Sequence, residues 1–390
     1  MTHDTKREII AEIDSHADQL WEISTSLFNN PESAFKEYKA CKLLAESLEK
    51  IGFTVEIGVG GLETAFRASL GSKPGPRVAI LAEYDALVGL GHACGHNLIA
   101  AAAVGAGIGL AAVRSQINGQ ILVIGTPAEE GGGGKIILAR AGIFDGIDAA
   151  MMFHPASKNM VSRASLASSK LALEFFGKAA HAAAAPEEGI NALDAMILAF
   201  NNINALRSIL GARDRVAGII LSGGEVVNIV PAYSSAEFSV RSASAKRSEG
   251  LTGRVIRCAQ AAADTIGCEV NYTITPGYKE IIPNMVLAGL FKANLEHLGR
   301  VVVDPDPFER MGGTDMGNIS HLLPAIHPYL AIAPLTVAGH TVEFREYSIS
   351  EAGKSAMLDA AKAMAMTTLD LLSTPQLLVE AKKELDSIHN

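Results

Sequence analysis

A chain of 390 residues is long enough for two domains, and its composition, 48% hydrophobic and 19% charged, is that of an ordinary globular protein. A formal charge of −9 argues against a surface that grips nucleic acid or an anionic membrane, while leaving room for a local basic pocket around one carboxylate. The four cysteines (Cys41, Cys94, Cys258, Cys268) show no disulfide-framework spacing and no secretory signal is evident, so a reducing cytoplasm is the expected location.

In chain order, "MTHDTKREIIAEIDSHADQLWEI" reads as an amphipathic helix with Ile9, Ile13, Leu20 and Ile23 among its apolar positions. The runs "RVAILA" (77–82), "QILVIG" (120–125), "IDAAMMF" (147–153) and "HPYLAIA" (327–333) read as strands buried on both faces. Segments long enough for crossover helices separate the first three. One of them, "LIAAAAVGAGIGLAAV" (98–113), is too short and too rich in Ala and Gly for a bilayer span, and reads as a buried helix packed close to its neighbours.

The middle of the chain changes rhythm. A strand at 168–177, a helix at 189–209, strands at 216–223 and 232–241, a helix at 248–267 and a strand at 268–275 give the order β-α-β-β-α-β. A helix at 284–299 then returns the chain to the first domain. The expected architecture is α/β: a mostly parallel-sheet domain over 1–167 and 277–390, with a ferredoxin-like domain inserted at 168–276.

In open α/β sheets, ligands bind beyond the carboxyl ends of the strands. Glu83 and Asp85 follow the first apolar strand, and Glu129 and Glu130 follow the second. His154 follows the third, and His340 follows "YLAIAP". The loop "GHACGHN" (91–97) lies between the first strand and the Ala-rich helix. Cys94, His96, Glu130, His154 and His340 are thus placed to converge on one rim. Such donors suit zinc, manganese, cobalt or nickel better than calcium or magnesium, and five exceed what one tetrahedral ion needs, which favours two ions with a bridging ligand.

Each element has a plainer reading alone. A single histidine after a strand is commonly structural, and Cys94 with His96 also suits a thiolate–imidazole nucleophile. A zinc ribbon lacks its second cysteine pair, and "GGGG" (131–134) lacks the Gly-Lys-Ser/Thr ending of a phosphate loop.

The stretches "LAEYDAL" (81–87), "GLGHACGHNLIAAAAVG" (89–105), "GTPAEEGGGGK" (125–135), "AGIFDGIDAAMMFHP" (141–155), "FFGKAAHAAAAPEEGINALDA" (175–195), "GGEVVNIVPAYSSAEFSVR" (223–241), "GGTDMGNIS" (312–320) and "VAGHTVEF" (337–344) resemble the M-twenty metallopeptidases and amidohydrolases in family order. The resemblance is to the aminoacylase and indole-acetyl-amino-acid hydrolase branch, and within it to p-aminobenzoyl-glutamate hydrolases and β-alanyl-lysine dipeptidases. It implies a dinuclear site with Cys94, His96, Glu130, His154 and His340 as ligands and Glu129 as general base. Asp85 is implied as an orienting residue, and His181 as a group reaching the site of a partner subunit. Asn228, Arg241, Gly313 and Thr314 are implied near the substrate. The inserted domain would then serve as lid and dimerisation surface of a homodimer. Many relatives carry Asp at the positions of Asn97 and Glu83, which leaves the roles of these two open.

The expected activity is metal-dependent hydrolysis of an amide bond in an N-acyl amino acid, an aminobenzoyl-glutamate-like conjugate or a dipeptide. Hydrolytic C–N cleavage of an aromatic or urea-like compound, and a non-catalytic metal- or metabolite-binding role, stand as alternatives.

Overall fold

The computed structural model describes residues 2–71, 74–306, 309 and 311–389. The chain divides into two compact units: Met1–Ala164 with Ile281–Arg310 and Asn318–Asn390, and Ser165–Glu280 with Met311–Gly317. The stretch 311–317, which the sequence places with the first domain, groups with the second because the Leu166 N–H donates to the Gly312 carbonyl at 2.8 Å.

The first unit contains strands β1 (Thr54–Ile57), β2 (Phe66–Gly71), β3 (Arg77–Ala82), β4 (Gln120–Gly125), β5 (Ala149–Met151) and β6 (His154–Ala156). The second contains β7 (Ala167–Phe176), β8 (Arg215–Ser222), β9 (Tyr233–Ser242) and β10 (Glu269–Pro276). The chain then adds β11 (Ala325–Ile326) and β12 (Tyr329–Ala331) to the first unit.

The principal sheet has the order β1-β2-β4-β3-β5-β11. Its β4, β3, β5 and β11 run parallel, and β1 and β2 add an antiparallel edge. That edge escaped the sequence reading because "TVEI" is largely exposed and has no continuous apolar run. The apolar stretch 327–333 is not a strand of this sheet. Ala325–Ile326 takes that place, and Tyr329–Ala331 pairs with His154–Ala156 in a separate two-stranded ladder. Pro328 has no N–H to donate and breaks the run between the two.

The N-terminal amphipathic stretch forms two helices, Thr2–Ser15 and Ala17–Asn29, with Ile9, Ile13, Leu20 and Ile23 all buried. They pack with helix Glu351–Ser373 against helix His96–Ala112. That central helix is buried along its first fifteen residues, His96 to Leu110. A Cβ on Gly105 would stand 2.9 Å from Leu20, so a residue without one is what lets the helices approach. Among the described residues, no helix is long and apolar enough to cross a membrane.

The second unit is an antiparallel sheet of order β10-β7-β9-β8, the ferredoxin-like arrangement. Helices Ala192–Ala205 and Ala245–Ile266 cover one face, burying Leu171, Phe175, Phe238 and Val240 with Met196 and Val255. Asn191 and Ser244 cap these helices through their side chains, and Gly267, at φ 82, ends the second.

Candidate metal centre

The connection 83–95 between β3 and the central helix delivers Cys94 and His96 to the start of that helix. Gly95, between them, has φ 78, and a Cβ there would lie 2.8 Å from Pro155. Only glycine allows this turn against the strand that carries His154. His340 has φ 64, and its N–H donates to the Ala93 carbonyl at 2.9 Å, tying the last loop to the first.

Cys94, His96 and His154 offer one ligand atom each within 4.8 Å of one another. Cys94, Glu130 and His340 do the same, so Cys94 belongs to both groups. Cys94 Sγ is 3.4 Å from His154 Nε2, and His340 Nε2 is 3.1 Å from Glu130 Oε1. Donors held roughly 2.0–2.3 Å from a shared zinc ion stand about this far apart.

The tautomers agree. His96 Nδ1 faces the Asp85 carbonyl at 2.8 Å, and His154 Nδ1 faces the Pro155 carbonyl at 2.7 Å. A carbonyl only accepts, so each Nδ1 carries a proton, and Nε2 is the atom each ring would present to an ion. His96 Nε2, Glu130 Oε1 and Glu83 Oε1 are buried and face one another across the site: His96 Nε2 stands 3.0 Å from Glu83 Oε1, and His340 Nε2 3.1 Å from Glu130 Oε1. Lone pairs gathered in this way are costly unless a cation satisfies them, so the donor set fits a pair of divalent ions.

Asp85 links two of these residues. One carboxylate oxygen lies 3.2 Å from His96 Nδ1, and the other accepts the Glu130 N–H at 2.9 Å. Burial pushes the Cys94 thiol up, but the neighbouring His154 and His96 outweigh it and bring it down to about 6, favouring thiolate. Hydrogen bonds to Cys94 and Glu130 push His340 up to about 10. Burial acts against Glu130, yet His340 and His96 hold it below the usual carboxylate range.

The glycine run after Glu130 does not point outward. The N–H groups of Gly132, Gly133 and Gly134 donate to the Ala128 carbonyl, winding the loop around that residue. Glu129 is buried in the same loop, in a third group with Glu83 and His96. Asn97 turns away from the ligands. Its amide donates to Ser24 Oγ at 2.9 Å and to the Ser348 carbonyl at 3.1 Å, and a carboxylate in its place would have no donor for that carbonyl.

Several residues of this site had no role assigned from sequence. Lys135, fully buried, pairs with Glu83 Oε2. His327 sits edge-on to His154 with ring centroids 5.4 Å apart, and Tyr329 Oη lies 3.1 Å from its Nδ1. Burial keeps His327 well below its ordinary range, hence neutral. The lysine directly after the glycine run was the available signal, whereas His327 was absorbed into a run read as strand.

His181, Asn228, Arg241, Gly313 and Thr314 belong to the second unit. His181 is exposed, and its Nδ1 accepts the N–H groups of Ala183 and Ala184 at 3.2 and 3.1 Å. With Nδ1 accepting, Nε2 is the ring nitrogen that can donate. Asn228 and Arg241 are exposed, the latter on β9. The Thr314 hydroxyl accepts the Met316 N–H at 3.2 Å, and a Cβ on Gly313 would lie 3.1 Å from the Leu166 carbonyl, so both also serve the turn that contains them.

The sequence pattern of Peptidase family M20/M25/M40 matches residues 81–363, a span that holds every ligand candidate. The chain belongs to this family. It is 40% identical to the Xaa-Arg dipeptidase of Mus musculus over 395 aligned residues, which cover 97% of this chain and 91% of that protein. It is 34% identical to a polypeptide of the Escherichia coli K12 p-aminobenzoyl-glutamate hydrolase, over 73% of this chain and 62% of that polypeptide. A Bacillus subtilis structure described as a dinuclear metal binding peptidase of the same family superposes with a TM-score of 0.73 at 19% identity, covering 93% of this chain and 99% of that one. The fold is shared with that structure. Family membership and the named relatives make the chain a metal-dependent hydrolase of amide or peptide bonds.

Proposed function

We propose that this chain is a dipeptidase with two divalent ions, zinc or manganese, held by Cys94, His96 and His154 on one side and by Cys94, Glu130 and His340 on the other. Cobalt or nickel would suit the same donors. The observation that carries the reading is the pair of ligand groups meeting at one low-pKa cysteine, with the buried Glu129 in the same cluster. Ions bound there would lower the pKa of a water toward neutrality.

Glu129 takes the proton of the attacking water and later delivers it to the departing amine. Asp85 orients His96 and Glu130. His181 donates from Nε2 to the oxyanion in the site of a second copy, and Asn228, Arg241, Gly313 and Thr314 form the substrate side. Arg241 suits a substrate carboxylate through a bidentate contact. The similarity to a dipeptidase over nearly the whole chain supports a dipeptide over the other two amide classes, and a basic C-terminal residue is the first side chain to try. A cytoplasmic location belongs to the same proposal.

The test is cleavage, detected by mass spectrometry, in a panel of dipeptides, N-acyl amino acids and aminobenzoyl-glutamate. The protein is reconstituted with zinc or manganese. Glu129→Gln is expected to keep its metal and lose on the order of 100- to 10,000-fold in turnover. Cleavage of aminobenzoyl-glutamate with dipeptides untouched would replace the proposed substrate, and a fully active Glu129→Gln would remove the base.

A further inference from the structure

In the loop that carries Glu129 and Glu130, the glycine N–H groups fasten the Ala128 carbonyl, and the other side of that residue is held from outside the loop. Ala128 has φ 62, a left-handed backbone that an alanine adopts only when its surroundings impose it. Its N–H donates to Glu37 Oε1 at 3.0 Å. Glu37 is fully buried, and the same oxygen accepts the Phe35 N–H at 3.0 Å. Its other oxygen accepts the Thr64 hydroxyl at 2.9 Å. The Thr64 carbonyl in turn accepts the hydroxyl of Tyr84, which stands between Glu83 and Asp85.

Phe35 also has a positive φ, 62, and its ring fills the space beside Gly132, where a Cβ would come within 2.1 Å of it. One buried carboxylate thus joins the 33–37 stretch, the residues before β2 and the loop at 127–134. Glu37 is in none of the ligand groups. Ordinary structural economy does not call for a buried carboxylate here; a strained peptide that must be held does.

We propose that Glu37 is a positioning residue, holding Ala128 in its left-handed conformation so that Glu129 and Glu130 face the metal centre. The assignment rests on the reading of Glu129 as the base. Were Ala128 to relax to a negative φ, the following peptide would swing and carry both carboxylates out of line. Glu37 acts through hydrogen-bond acceptance. A glutamine can replace it, its carbonyl taking the two N–H groups and its amide donating to Thr64.

The experiment uses the full-length, metal-loaded protein and the variants Glu37→Ala, Glu37→Gln, Ala128→Gly and Glu37→Ala/Ala128→Gly. Amide hydrogen exchange over 127–134 is read together with metal content, kcat and KM. Glu37→Ala is expected to speed exchange in the loop and to lower kcat on the order of 10- to 100-fold, with KM changed no more than about twofold. Glu37→Gln should stay within about threefold of wild type in both kcat and exchange. Because glycine adopts a positive φ freely, Ala128→Gly should restore part of what Glu37→Ala loses.

Unchanged loop exchange in Glu37→Ala would overturn the proposal, as would a double variant no better than Glu37→Ala. Where Glu37→Ala does not fold, Glu37→Gln decides: loss of loop protection despite its retained acceptor would overturn the proposal, and retained protection supports it. Exchange needs no substrate, so failure of the dipeptidase reading would show as absent cleavage with the exchange pattern intact.

Discussion

At the scale of the residue, Cys94 is where the two proposed ligand groups meet, whereas His340 stands in one. Cys94→Ala is therefore expected to weaken the binding of both ions, and His340→Ala mainly that of one. Metal stoichiometry by mass spectrometry, measured across a titration with zinc, separates the two outcomes. Equal losses in the two variants would show that Cys94 is not shared. The same residues set the pH dependence. Cys94, at about 6, is largely thiolate at neutral pH and takes a proton as the pH falls below that value. His340, at about 10, must give up a proton to bind at neutral pH. Metal uptake at pH 7 should then release protons, and affinity should fall steeply below about pH 6, both measurable by calorimetry in buffers of different ionisation enthalpy.

At the scale of the element, the site depends on turns that place side chains where strand geometry alone would not. Gly95 turns the cysteine loop into the central helix at φ 78, hard against Pro155. Gly95→Ala adds both a backbone penalty and a clash, and a loss of about 1–3 kcal/mol in stability is expected, with weaker metal binding. Chemical denaturation and metal titration of the variant would measure the two; a fold and affinity equal to wild type would show that the loop tolerates another path. Glu37 makes a second prediction at this scale. Burial raises it from 4.5 to about 7, with the charge of Asp85 adding to the effect and its hydrogen bonds opposing it. The folded state then binds a proton more tightly than the unfolded one. Its contribution to stability is present below about pH 4.5 and is lost as the pH rises through 7. Glu37→Gln should remove this downward slope, and denaturation curves at pH 5 and pH 8 would show it as a smaller difference between the two.

At the scale of the whole molecule, association is the open element of the proposal. Strand β8 stands at the edge of the second sheet, with one neighbour only, and exposes Ile219 and Leu221 to more than half their surface. An unprotected apolar edge of this kind is a natural pairing site. We expect a two-fold dimer through this edge, with Ile219→Lys shifting the protein to monomer in analytical ultracentrifugation. Activity that falls with dissociation would support a contribution of His181 across the interface. A monomeric wild type with full activity would exclude one.

Much of the first unit was legible because its central strands are continuous apolar runs ending in polar residues. The second was legible because helix Ala192–Ala205 and its neighbours follow ordinary caps and periodicity. Residue type and strand-end position likewise brought Cys94, His96, Glu130, His154 and His340 together before any coordinates. What the sequence could not decide depends on contacts between distant segments. The sheet position expected for the run 327–333 goes to Ala325–Ile326, while Tyr329–Ala331 pairs with His154–Ala156, because each meets a strand far away in the chain. The place of Cys94 in two candidate groups, the inward-wound glycines and the donors of Asn97 are set by packing, since none has a local signature. Glu37 is the clearest instance: by itself it is one acidic residue near a helix start. Only the tertiary structure makes it the buried acceptor for a peptide ninety-one positions further along the chain.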